Sequence, residues 1–327
     1  MMPPTVSSPP QLLDLHPPPA DMARLVSQGM GLFPKQLPAW LLYDEEGSRL
    51  FDAICEQPEY TLTRTETALL EERADAMAAA LGEGVLVEFG AGSARKVSPL
   101  LAALRPRAYV ALDISADHVF TGCLALRDRH REVPMLAIGC DYSALAELPP
   151  HPWLMGQRRL GFYPGSSIGN FDPAEAEALL RRFLGLLGPD SRLLIGIDQP
   201  KPVERLEAAY NDRAGVSAAF AFNLLRRLNR DLGGTFEPEH FVYEARWQPA
   251  HSRIAMALRS RDHHTVELAG QRWAFAAGEP LITEYSVKYS PSAFLALAQR
   301  AGWRAAGRWS DAAGDVSLHL LQPAPLG

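Results

Sequence analysis

Between residues 85 and 198, five short apolar runs alternate with helical stretches, and no other feature constrains the fold as tightly. Residues 85–89, 108–113, 135–140, 160–163 and 191–198 read as strands. Residues 94–104 and 116–129 read as helices between them, and a further helix opens at Asp172-Pro173-Ala174-Glu175. There the aspartate suits the cap, proline suits the first turn and the glutamate completes a capping box. Parallel strands need such helical crossovers. The expected fold is α/β, a mostly parallel sheet with helices on both faces.

The rhythm breaks near residue 200. Residues 202–232 read as two helices, the second ended by Gly233-Gly234. Residues 241–248, 253–259, 265–275 and 281–289 read as four consecutive strands of an antiparallel meander. A helix at 291–301 follows, and residues 303–309 and 316–321 then form a terminal hairpin that completes the α/β sheet. Residues 22–72 are mainly helical, with Thr63 and Glu66 at capping-box spacing. The expected division is a flexible proline-rich tail over 1–19 and a second, α+β lobe from 20–62 and 200–285. That lobe combines the N-terminal helices with an insertion after the fifth strand. Residues 63–199 and 286–327 make the α/β domain.

The strand at 85–89 leads into "VEFGAGSARK", Val87 to Lys96. Gly90 and Gly92 let backbone approach a ligand closely. A dinucleotide fingerprint would need a third glycine where Arg95 stands. An acid, here Glu88, before Gly-x-Gly is instead the usual pattern of S-adenosylmethionine sites in Rossmann-like methyltransferases. Asp113, ending the second strand, suits the two ribose hydroxyls. Asp141 and Tyr142, after the third strand, suit the adenine amine and base. Singly, the glycines also read as a strand-to-helix turn, Asp113 as a helix cap and Asp141 as a turn residue. Their recurrence after three successive strands favours the cofactor.

Bulk properties narrow the partners. The chain has 327 residues, a net charge of -6 and no basic run, so a nucleic-acid partner has little electrostatic support. No apolar run is long enough for a membrane span. Residues 1–19 lack the charged and apolar regions of a secretory signal. Cys55, Cys123 and Cys140 have no metal-ligand spacing, and so sparse a count suits a reducing compartment. His263-His264 falls in a hairpin turn without zinc spacing. The expectation is a cytoplasmic monomer without metal, membrane or nucleic-acid partner.

Four longer stretches occur in order: "YDEEGSRLFDAICEQPEYTLTRTE", "FYPGSSIGNFDPAEA", "AYNDRAGVSAAFAFNLLRRLNRDLGG" and "LITEYSVKYS". From about Leu41 to the C-terminus the chain resembles the histidine-specific Nα-methyltransferases of ergothioneine biosynthesis. The resemblance implies a Rossmann-like class I methyltransferase domain and a substrate-binding lobe, with histidine between them. It implies S-adenosylmethionine as cofactor and L-histidine as substrate, trimethylated on its α-amine to hercynine. Gly90 and Lys96 match the cofactor loop, the lysine facing the methionine carboxylate. Asp113 and Asp141-Tyr142 match the ribose and adenine positions, with Tyr142 where the family often has phenylalanine. Tyr43 matches a tyrosine near cofactor and amine, and Asn170 the residue that receives the amine. Tyr60 and Tyr210 match the tyrosines holding the substrate carboxylate. Glu284 and Ser286 match the pair that reads the imidazole, and Phe51 and Met256 line the pocket.

The residue chemistry is compatible with these roles. Glu284 and Ser286, two apart on a strand, share a face about 7 Å apart. A neutral imidazole offers one N–H donor and one acceptor nitrogen, which a carboxylate and a hydroxyl can meet. Lys288 continues the alternation, so a polar face of a half-exposed strand is the competing account. Another amine N-methyltransferase would not need Glu284 and Ser286. A non-catalytic S-adenosylmethionine-binding regulator would not need Asn170 and Tyr43, and a nicotinamide dehydrogenase would need the third glycine.

Overall fold

The alternating segments form one eight-stranded sheet in the computed structural model, which describes residues 9–15 and 19–325. The strands lie in the order Gln11–Asp14, Met135–Gly139, Tyr109–Asp113, Val85–Phe89, Arg159–Tyr163, Arg192–Asp198, Val316–Pro323 and Trp303–Ser310. The first six are parallel, and the last two join antiparallel. Counting from Val85, the parallel core runs 3-2-1-4-5, the Rossmann order. Strand order therefore reverses beside Val85–Phe89. Ligands of such sheets bind at the carboxyl ends of the strands flanking that reversal. Those ends carry the glycine loop and "PGSSIGN".

Several local expectations change. Gln11–Asp14 is an edge strand on Met135–Gly139, so this part of the expected flexible tail is paired; residues 1–8 and 16–18 lie outside the described residues. The helix expected at 94–104 is Ser98–Leu104. Ala94 sits at φ 54, which no helix tolerates, and Pro99 suits the first turn of a later start. The helix expected to start near Arg64, with Thr63 and Glu66 as its capping box, starts earlier. Helix Leu62–Leu81 begins before Thr63, and the buried Glu66 carboxylate accepts from the Gly165 amide. That helix buries Leu62, Leu69, Leu70, Met77 and Leu81, the i, i+7, i+8 stripe of a one-sided amphipath. At Asp172 the box does form: the aspartate accepts from the Ala174 and Glu175 amides, and Glu175 accepts from the Asp172 amide.

The chain divides into two compact units. The first holds the large sheet, with Leu62–Pro200 and the chain from Lys288 onward. The second takes the chain up to Thr61 from the first helix, and Lys201–Val287. Its sheet runs Lys35–Gln36, Pro280–Val287, Arg253–Ser260, Phe241–Gln248. Helices Val203–Tyr210 and Val216–Leu232 precede its last three strands in the chain, the second stopping at Gly233, φ 64. The expected strand at 265–275 is instead a separate hairpin, His264–Leu268 with Gln271–Phe275. Ala269 and Gly270 both have positive φ, the geometry of a tight two-residue turn. No helix among the described residues is long and apolar enough to cross a membrane.

Lys288 opens the return to the first unit as a fully buried ammonium 2.7 Å from the buried Asp198 carboxylate. Asp198 ends its strand, and its carbonyl accepts from the Tyr289 amide. Removing one partner of a buried pair strands the other charge. Lys288→Met is expected to lower stability by about 3 kcal/mol or more, read as a lower denaturant midpoint.

Candidate active site

Two carboxylates sit on the strands that lead to the glycine loop, and one of them ties it down. Glu88, buried on the first strand, accepts a 2.5 Å hydrogen bond from Tyr109 on the neighbouring strand. Burial pushes its carboxyl up to about 8, although the Tyr109 bond and the Lys96 charge oppose this. Asp113 accepts from the Gly92 amide at 2.8 Å and the Ser115 amide at 3.0 Å. Asp113 is not the helix cap, because helix Ala116–Arg127 is capped at Ser115; one Asp113 oxygen holds the Ser115 amide in a turn and the other ties down the glycine loop. Burial raises its carboxyl, and the Ser115 and Gly92 amides pull it back.

Gly90 and Gly92 both need glycine, at φ 68 and 52. A Cβ on Gly92 would meet nothing within 4 Å, whereas one on Gly90 would lie 3.3 Å from the Tyr142 hydroxyl. Tyr142 therefore closes one side of the loop and shares a 3.2 Å hydrogen bond with Tyr163. Its ring is edge-on to Phe89 and Tyr163. Asp141 accepts from the amide and hydroxyl of Ser143, as a turn residue does. A carboxylate beside the second strand suits a vicinal diol, an ammonium suits a carboxylate, and an open glycine edge admits backbone contact.

Glu88 gives a pH prediction. Its folded value lies above the ordinary 4.5, so the folded state holds a proton that the unfolded chain has lost. Stability from this group is present below about 4.5 and falls as pH rises toward about 8. Glu88→Gln should remove that downward slope between pH 5 and 8, read from denaturant midpoints across the range.

Asn170 ends the turn Ser167–Asn170, which leaves the strand beside the glycine loop. Ser166 enters that turn at φ 54, and its hydroxyl accepts from the Asp198 amide. The loop is thus anchored to the next strand rather than being a loose connection.

In the second unit, strand Pro280–Val287 is almost wholly buried, so a half-exposed polar face does not explain Glu284 and Ser286. A bulge between Ile282 and Glu284 is decisive here. Ile282 and Tyr285, three apart, lie in one apolar cluster with Ala255 and Ala257. Plain alternation would have put Ile282 on the face of Glu284. The extra residue redirects the strand, so Glu284 pairs across from Met256 and Ser286 from Ile254. Met256 and Ile254 cluster with Leu206 and Tyr210.

Each of the two polar residues meets a tyrosine. The Tyr43 hydroxyl donates to Glu284 at 3.4 Å, and the Tyr210 hydroxyl lies 2.8 Å from that of Ser286. The rings of Phe220, Tyr43, Phe51, Tyr60 and Tyr210 form a chain with neighbouring centroids 5.3–6.4 Å apart. Tyr43, Phe51, Tyr60, Tyr210, Met256, Glu284 and Ser286 therefore form one neighbourhood.

Supporting residues outside the expected set hold it. Asp44 caps helix Glu45–Cys55 through the Gly47 amide and accepts from Asn223 at 2.7 Å. That fixes the backbone next to Tyr43. The Tyr243 hydroxyl donates to the Tyr210 carbonyl, and Asn211 exchanges hydrogen bonds with the Ala245 backbone. Phe220 stands three residues before Asn223 on the same helix, so helical spacing was a usable signal for it.

Away from these residues, Asp262 brings His240 and His264 together, contrary to the spacing argument for His263-His264. The carboxylate lies 2.9 Å from His240 Nδ1 and 3.1 Å from His264 Nδ1. Asp262 adjoins His263 in the sequence; the member that linear spacing did not reveal is His240, 22 residues before Asp262.

Comparison with known proteins decides the family. The model of the S-adenosylmethionine-dependent, histidine-specific methyltransferases matches residues 22–323. The chain belongs to this family. It is 37% identical over 305 residues to the histidine N-alpha-methyltransferase of Mycolicibacterium smegmatis, covering 91% of this chain and 94% of that protein. The corresponding Mycobacterium tuberculosis protein is 36% identical, with the same coverage. Ergothioneine biosynthesis protein 1 of Neurospora crassa is 30% identical over 88% of this chain, which spans 33% of that longer protein. Membership in this family makes S-adenosylmethionine the cofactor.

Proposed function

We propose that the chain transfers three methyl groups in succession from S-adenosylmethionine to the α-amine of L-histidine, giving hercynine. The chain is an S-adenosylmethionine-dependent histidine Nα-methyltransferase of ergothioneine biosynthesis. The observation that best supports the substrate reading is the pairing of Glu284 with Tyr43 and of Ser286 with Tyr210 on one strand face. A buried carboxylate and a buried hydroxyl at this spacing complement the N–H and the bare nitrogen of an imidazole.

In this reading Glu284 accepts from the imidazole N–H and Ser286 donates to the other nitrogen. Tyr60 and Tyr210 hold the carboxylate, and Phe51 and Met256 supply apolar walls. Gly90, Lys96, Asp113, Asp141 and Tyr142 bind the cofactor. When bound, the cofactor supplies a methyl group already activated by its sulfonium. What remains for the protein is positioning. Asn170 and Tyr43 orient the amine N–H groups, so that the lone pair has a fixed direction. As methyl groups replace N–H donors, those contacts fall away, which favours later substitutions in the same pocket. We read the protein as a cytoplasmic monomer; its three cysteines, all free thiols, support the reducing compartment.

Asn170→Ala tests the amine assignment. It should slow methylation by about 100-fold, the scale of misplacing a reacting group, and most for the first transfer. Monomethyl and trimethyl products forming at wild-type rates would remove the role of Asn170.

A further inference from the structure

Glu66, a buried carboxylate of the first unit, bridges two loops at the carboxyl ends of the large sheet. Its side chain is fully buried. Its oxygens accept from the Gly165 amide at 2.8 and 2.9 Å, and one lies 3.1 Å from the Lys96 ammonium. Lys96 belongs to the glycine loop, and Gly165 to the loop that carries Asn170. Two glycines make room for this arrangement. A Cβ on Gly196 would fall 2.0 Å from Glu66 Oε1, and a Cβ on Gly165 would fall 3.0 Å from Lys96 Nζ. Gly165 also stands at φ 78. The fold therefore gives up side chains on two elements to seat a charged group in its interior.

A helical carboxylate serving only to cap or solvate its helix needs none of this. Burying an anion is costly unless it is paired and hydrogen-bonded. Here both conditions are met by groups on the loops at the carboxyl ends of the sheet. The consequence is directional. An ammonium is a flexible point charge on a four-carbon stem, so it aims well only when something holds it.

We propose that Glu66 is a positioning residue for the methyl donor. It holds the Lys96 ammonium where that group meets the carboxylate of the donor's methionine end, and it fixes the Gly165 backbone beside it. This rests on the assignment of Lys96 to the donor carboxylate.

The test is a double-mutant cycle on donor affinity, measured by calorimetry with S-adenosylmethionine, S-adenosylhomocysteine and adenosine. Glu66→Gln keeps the shape and an acceptor for Gly165 but removes the negative charge that faces Lys96. It should weaken both methionine-bearing ligands by about tenfold, the scale of one charged hydrogen bond. Adenosine lacks the methionine end and should bind as to the wild type. Lys96→Met should do the same, and the double variant should lose no more than either single one. Equal losses for adenosine and S-adenosylmethionine would overturn the proposal, because Glu66 would then act on the whole fold. So would unchanged donor affinity in Glu66→Gln, or losses that multiply in the double variant. If Lys96→Met alone leaves donor affinity intact, the assignment of Lys96 fails instead.

Discussion

Replacing Glu284 with alanine is expected to lower kcat/KM for histidine by about 100-fold, chiefly through KM. The carboxylate is buried, so water does not stand in for it at full strength. Its loss leaves the imidazole N–H without its acceptor and the Tyr43 hydroxyl without its partner at 3.4 Å. The strand itself should survive, because the bulge and the pairing with Met256 are backbone features. Glu284→Gln keeps one carbonyl acceptor and should lose less, about tenfold. Donor affinity should not change in either variant. Steady-state kinetics with histidine varied at saturating donor would show this. An unchanged KM for histidine would remove Glu284 from imidazole recognition.

Replacing Asp113 with alanine should weaken donor binding by about 100-fold or more, because two effects combine. The ribose hydroxyls lose a bidentate acceptor. The Gly92 and Ser115 amides also lose the carboxylate that holds them, so the glycine loop loses its tether to the second strand. Adenosine carries the same ribose and should be weakened in parallel. That pattern separates Asp113 from Glu66, whose replacement should spare adenosine. Calorimetry with both ligands distinguishes the two residues, and full adenosine binding by Asp113→Ala would contradict the ribose assignment.

The parallel core was legible because each strand is a short apolar run closed by a turn. Strands buried on both faces read as continuous apolar runs rather than as alternation. The division into hairpins was less legible. Residues 264–275 form one continuous β-rich run, and only Ala269-Gly270, with a non-glycine residue at positive φ, marks the reversal. The start of helix Ser98–Leu104 was hidden for a similar reason, since Ala94 is a good helix former held in a left-handed conformation.

The site shows the same split. Asp113 and Gly92 lie 21 residues apart, and their hydrogen bond follows from strands that the sequence locates. The facing of Glu284 and Ser286 follows from period two only beyond the bulge at residue 283, which no residue type announces. Glu66 was the hardest case. Three residues after Thr63, it carries the local signature of a capping box, yet its partner Gly165 is 99 residues away. Local spacing and long-range pairing compete for the same carboxylate, and burial decides between them. Asp44 and Asn223, 179 residues apart, pair in the same hidden way.

The central claim is that the methylated atom is the α-nitrogen of histidine. It is tested most directly by incubating the protein with S-adenosylmethionine and a panel of amino acids and aromatic amines, and reading each by mass. The account predicts that histidine gains three methyl increments, located on the α-nitrogen by fragmentation. Turnover of another amine with histidine left unmodified would contradict it.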